Sequence, residues 1–249
     1  MPTFYGFRGV TKQSTSTFHL WQWFTVAALV IGGFVCLLIV YAVIRYRRKD
    51  ETSIPAQVQY HIPLELLYTI VPIIIVFVLF AATVIVENKV TAEPKSNVTV
   101  NVNAFKWGWR FAYPGTNALV IGQTVQAPMF EIPVNTNVHF KLTSSDVVHG
   151  FYIREFDFSR YALPGIANTF NFYPTKTGTY FGQCSQLCGL EHTLMFFRVK
   201  VVSPTKFRAW EAQFNTPAGA RAAEAAALAT KQLTSPIIKV KPAGSTGTK

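Results

Sequence analysis

The chain has 249 residues, 23 Lys and Arg against 12 Asp and Glu, and a formal net charge of +11 at pH 7. Half of it is apolar and only 14% is charged, against about 25% in soluble domains, which argues against a water-soluble globular protein. Aromatic residues make up 14%, too many for a disordered chain, and three cysteines allow at most one bridge, too few for a disulfide framework.

Residues 1–19 form a polar N-terminal segment without the charged start and apolar middle of a signal peptide. From Leu20 to Ile44 no residue is charged, and a second uncharged run goes from Leu66 to Val86. A bilayer core takes about 20 residues of helix, so residues 20–90 read as a transmembrane hairpin with spans at about 20–46 and 66–87. Pro72 lies in the second run, where neighbouring helices can repair a lost hydrogen bond. The link holds Arg45, Arg47, Arg48 and Lys49, and basic residues favour the cytoplasmic side. That places the link inside and both termini outside.

After Pro94 the pattern changes to short runs rich in Val, Thr, Phe and Tyr: Asn97–Phe105, Val134–Leu142, Thr169–Tyr173, Gly178–Phe181 and Phe196–Val202. Turn signals such as Pro114-Gly115 and Pro164-Gly165 separate them, so residues 95–203 read as one β-sandwich or barrel. Residues 204–249 contain two candidate helices, Thr205–Phe214 and Ala218–Thr230, and a Lys-bearing tail, Ser235–Lys249, with little to bury.

One stretch carries the chemistry. Cys184, Cys188, His192 and Met195 follow the pattern C-x3-C-x3-H-x2-M. Thiolate and thioether ligands suit copper, and a mononuclear electron-transfer site needs only one Cys. Two cysteines make a second copper reasonable, each thiolate bridging both ions, and such a pair needs another imidazole. His149, after the Val134–Leu142 run, is the candidate. A disulfide would leave His192 and Met195 unexplained, and zinc sites do not use Met. Cys36, in the first span, reads as a packed thiol.

At these residues the chain resembles subunit II of the haem–copper cytochrome c oxidases, over about residues 18–210. The resemblance implies a two-helix transmembrane hairpin plus an all-β cupredoxin-like domain with a dinuclear copper centre, CuA. By matching positions it implies that Cys184 and Cys188 bridge two copper ions and that His149 and His192 bind one each. Met195 and the main-chain oxygen of Gln186 would be weak axial ligands. The segment Lys106-Trp107-Gly108-Trp109 matches the family's aromatic stretch, with Trp107 where electrons arrive. His61-Ile62-Pro63-Leu64-Glu65 matches the start of its second span, with Glu65 at the mouth of a proton path. Ala162-Leu163-Pro164-Gly165 matches a family turn. A solvated interfacial carboxylate explains Glu65 as well, and aromatic packing over a core is compatible with Trp107.

Two departures matter. The family commonly has Glu between the cysteines, binding a magnesium ion shared with subunit I; Gln186 argues against that ion here. Members that use soluble cytochrome c often present an acidic face, whereas residues 95–203 carry nine Lys and Arg against five Asp and Glu, and Tyr161 stands where many relatives have an acid. That allows a donor of different charge or a fixed supercomplex partner; sequence drift accounts for it too and carries more weight.

The implied function is the subunit of a terminal oxidase that takes single electrons from cytochrome c or an equivalent periplasmic protein. It passes them to haem in subunit I, where O2 is reduced to water with proton translocation. Haem belongs to that partner, because the chain has no C-x-x-C-H. Subunits I and III and membrane lipid are the expected partners, with no nucleic acid, in a bacterial-type plasma membrane with the copper domain outside. The alternatives are a membrane-tethered copper chaperone, which would not need Glu65 or the Trp107 segment, and a quinol-oxidase subunit II, which would lack the copper ligands.

Overall fold

A computed structural model describes residues 3–4, 6–48, 57–124 and 126–234. Lys49 of the basic link and the tail Ser235–Lys249 lie outside the described residues. The chain divides into two compact units, one holding residues 1–92 with 155–157, the other holding 93–154 and 158–249.

The first unit is a pair of long helices packed on each other, α1 (Lys12–Arg45) and α2 (Ile62–Thr91). Both are long and apolar enough to cross a membrane, and from Trp23 onward none of their side chains is buried. Both helices run beyond the uncharged stretches because backbone hydrogen bonding continues wherever the ends are capped. Thr11 caps α1: its hydroxyl accepts from Ser14 N–H at 3.0 Å, and Ser14 Oγ accepts from Thr11 N–H at 3.0 Å, a reciprocal capping box. At the start of α2, His61 Nδ1 accepts from Leu64 N–H, Pro63 occupies the first turn, and Glu65 Oε1 accepts from His61 N–H at 3.0 Å.

The second unit is a β-sandwich, as expected. Its strands are β1 (Val98–Phe105), β2 (Gly108–Ala112), β3 (Leu119–Gln123), β4 (Met129–Pro133), β5 (Val138–Ser144), β6 (His149–Ile153), β7 (Phe158–Ala162), β8 (Asn168–Phe172), β9 (Gly178–Cys184) and β10 (Phe196–Val202). One sheet runs β3-β2-β1-β5-β8, the other β4-β10-β9-β6-β7. The pairs β1–β5 and β4–β10 are parallel and the rest antiparallel. The expected Val134–Leu142 strand begins only at Val138; Asn135 has a positive φ of 54° and ends the preceding segment in a turn. Two helices follow, α3 (Pro204–Gln213), capped by Ser203, and α4 (Pro217–Thr234).

The facing sheets enclose an aromatic core. Phe111 stacks on Phe130 at 4.0 Å, Phe151 on Phe197 at 4.7 Å, and Phe140 on Phe170 at 5.3 Å. Trp109 is fully buried, edge-on to Phe151, Phe197 and the His149 ring. Such rings bury roughly 150–250 Å² each and supply most of the sandwich's stability. His149 is therefore held by the core itself.

Candidate metal centre

Three segments of the second unit converge at one end of the sandwich. His149 opens β6, the strand that follows the one expected upstream of it. Cys184 closes β9, and Cys188, His192 and Met195 follow in the connection to β10. That connection is tied down at both ends: Cys184 N–H donates to Met195 O at 3.0 Å, and Ser185 N–H to Gly150 O at 2.9 Å. Gly150 is required here, because a Cβ would lie 2.3 Å from Ser185 Oγ and 2.8 Å from Gln186 N.

The two sulfurs are 3.8 Å apart and unbonded. His149 Nδ1 lies 3.9 Å from Cys184 Sγ, and His192 Nδ1 lies 3.6 Å from Cys188 Sγ. Met195 Sδ is 3.9 Å from Cys188 Sγ, and the main-chain oxygen of Gln186 is 3.2 Å from Cys184 Sγ. The other four expected donor groups thus surround the sulfur pair, and those of His149, Cys184 and Cys188 lie within 4.8 Å of one another. His149, Cys184, Cys188 and Met195 are buried.

Burial opposes ionising either thiol, but the outcomes differ. At Cys184 the contacts with His149 and the N–H of Gly150 outweigh burial and bring the thiol down to about 6. At Cys188 burial, reinforced by the charge on Cys184, pushes the thiol up to about 12. The site accepts one negative charge readily and resists the second until a cation of high charge arrives. Two soft sulfur donors, two imidazoles, a thioether and a carbonyl form a donor set that fits copper.

Asp146, which residue spacing did not single out, orders the site from behind. Its Oδ1 lies 2.9 Å from His149 Nε2, which fixes that nitrogen as the protonated one and leaves Nδ1 free toward Cys184. Its Oδ2 accepts from Lys106 N–H at 2.7 Å, anchoring the β1–β2 turn. Burial raises the carboxyl's pKa, but the contacts with His149 and the Val147 and Lys106 amides prevail and hold it below the usual range.

That turn carries Trp107, half-buried, whose indole N–H donates to Cys188 O at 3.2 Å. Trp109, on the strand behind, donates weakly to Met195 O at 3.5 Å. Glu65 belongs to the other unit, where its observed contact is the helix-capping one.

Residues 98–202 match the family model "Cytochrome C oxidase subunit II, periplasmic domain", and residues 10–85 match "Cytochrome C oxidase subunit II, transmembrane domain". A probable cytochrome c oxidase subunit 2 of Streptomyces avermitilis is 34% identical, covering 80% of this chain and 75% of the relative. The cytochrome c oxidase subunit 2 of Corynebacterium glutamicum is 32% identical, covering 80% and 72%. Among solved structures, the periplasmic domain of subunit II of the Bradyrhizobium japonicum cytochrome oxidase aligns with 48% of this chain and 94% of its own, at 30% identity and a TM-score of 0.44.

Proposed function

Because the chain belongs to the cytochrome c oxidase subunit II family, we propose that its β domain holds two copper ions and serves as the point where electrons reach the oxidase. Cys184, Cys188, His149 and His192 would hold the ions, with Met195 and the Gln186 carbonyl completing the donor set. When bound, such a centre supplies one-electron chemistry. The observation that carries the reading is the set of four donors around one unbonded sulfur pair.

The residues' own work is to hold and shield. The β6 and β9 strand ends set the spacing of His149 and Cys184, and the aromatic core keeps water from them. Asp146 fixes the His149 tautomer, and Trp107 offers a conjugated ring one hydrogen bond from the Cys188 backbone. Subunit I, which carries the haem and performs the oxygen chemistry, would receive the electrons, with subunit III beside it. Gln186 leaves no carboxylate for a shared magnesium ion.

Glu65 would stand at the mouth of a proton path; its bond to His61 N–H accounts for it equally as a capping residue. The basic link would face the cytoplasm and the β domain the outer side.

Metal analysis and optical spectra of the copper-loaded protein test the reading. Two copper ions per chain and a purple colour with near-infrared absorption are expected. One ion, or a blue single-copper spectrum, would overturn it. Cys188→Ser should abolish turnover with the external donor.

A further inference from the structure

The outer face of the first sheet carries three exposed cations near the Trp107 turn. Side chains alternate across a strand, so the register places Arg110 opposite Asn103, and Lys141 opposite Asn101, on the two sides of β1. The neutral groups between them bond to each other: Asn103 Nδ2 donates to Thr143 Oγ1 at 3.1 Å, and Ser145 Oγ donates to Asn103 Oδ1 at 2.7 Å. Lys106, Arg110 and Lys141 are exposed, and among the described residues none makes an ion pair. Four carboxylates border the face. Glu93 accepts from Thr169 Oγ1, opposite Lys141, and lies 3.9 Å from His139, and Glu191 accepts from Thr124 Oγ1 beside the Trp107 turn. Asp146 is engaged by His149 and two backbone amides, and Glu224 of α4 lines a groove beside Arg110.

The position matters as much as the sign. Lys106 immediately precedes Trp107, and its amide is pinned by Asp146. With strands about 4.8 Å apart, Arg110 and Lys141 span on the order of 10 Å across β1. A protein steered onto these three cations arrives with its contact face next to the Trp107 ring. Complementary charge acts mainly on the association rate, raising it roughly 10–1,000-fold, and acts within a screening length of about 10 Å at 0.1 M salt.

We infer that the donor for this chain is an electron carrier with an acidic face, docking on Lys106, Arg110 and Lys141 beside Trp107. The inference rests on the electron-uptake reading above. It runs against a basic cytochrome c as the natural donor.

The test uses the whole oxidase and one haem protein in two charge states: native, lysine-rich mitochondrial-type cytochrome c, and the same protein with its lysines succinylated. Their oxidation rates are followed by stopped flow at low and high ionic strength. The acidic form should be oxidised about tenfold faster at low salt, with the advantage fading as salt rises. The double variant Arg110→Glu, Lys141→Glu should reverse the preference, its copper content and spectrum showing that it folds. Faster oxidation of the native form, equal rates, or indifference to the double variant would overturn the inference. Cys188→Ser separates the two readings. If it leaves oxidation of both forms intact, the electron-uptake reading itself fails. If it stops oxidation but the native form was preferred, only the docking inference fails.

Discussion

Gly189 holds φ at +120°, and a Cβ there would lie 3.0 Å from the Trp107 ring. The residue is thus the floor on which the indole rests, and Gly189→Ala should tilt the ring and strain the loop. Slower electron uptake with two coppers retained is expected, read by stopped flow and metal analysis. Trp107→Phe removes the N–H bonded to Cys188 O, and should slow uptake by roughly an order of magnitude or more while leaving copper-to-haem transfer near its original rate. Equal slowing of both steps would remove Trp107 from the route. The thiols make a separate prediction for the metal-free protein. Cys184, lowered from 9.0 to about 6, adds stability that is complete above pH 9 and is lost as pH falls through 6. Cys188, raised from 9.0 to about 12, withdraws stability as pH climbs through that interval. In a Cys36→Ser background, denaturant titrations should show the thiols' contribution rising between pH 6 and 9 and falling beyond. Thiolate absorbance should show one ionisation near 6 and none other until far above 9. Cys184, Cys188, His192, Met195 and His149 could be read in the sequence because ligand chemistry is written in residue type and spacing, whereas the Gln186 carbonyl came only with the family resemblance. Gly150 and Gly189 could not, because their roles come from Ser185 and Trp107, distant in the chain, and Asp146 could not, because its contact with nearby His149 depends on how the chain turns into β6.

Among the elements, five strands escaped a reading of runs: β2, β3, β4, β6 and β7, each five residues long. β3 is half-exposed throughout and shows no alternation, and β4 buries Glu131, whose carboxylate pairs with Lys200 at 2.9 Å. Only the sheet supplies the reason for a buried acid in a strand. β2 does alternate, with Trp109 and Phe111 in and Arg110 out, but its aromatic density reads as a motif before it reads as a strand. α3 falls on the candidate helix Thr205–Phe214, and the structure adds its Ser203 cap and what it is for. Phe207 is buried, 6.0 Å from the Tyr113 ring and stacked with Trp210, closing the sandwich beside the end of β2. Phe207→Ala should cost about 3–5 kcal/mol of unfolding free energy by denaturant titration. The copper spectrum of the folded fraction should stay unchanged, since α3 packs on β4 and on Tyr113. A variant whose spectrum shifts instead would show the helix bracing the site.

At the scale of the whole molecule, apolar residues serve two solvents. In the β unit they are turned inward as interlocked rings, whereas along α1 and α2 they are exposed, Leu37 by 70% and Phe77 by 68%. Exposure of that extent in water is an aggregation hazard; in lipid it is the ground state. The helices have 34 and 30 residues, about 50 and 45 Å at 1.5 Å per residue, against about 30 Å of hydrocarbon. Each therefore extends beyond the core by several turns, which is why their polar ends, Lys12–His19 and Glu87–Thr91, remain helical. Orientation then depends on charge alone, and Arg45, Arg47 and Arg48 at the end of α1 are the strongest bias. Alkaline phosphatase, which folds only outside, should be active when fused after Thr216 and inactive when fused after Tyr60. Replacing the three arginines by Asn should blur that contrast, giving activity at both positions, because little else holds the link inside. Strong activity at Tyr60 alone in the unaltered chain would put the β domain in the cytoplasm, where an external carrier could not reach Trp107.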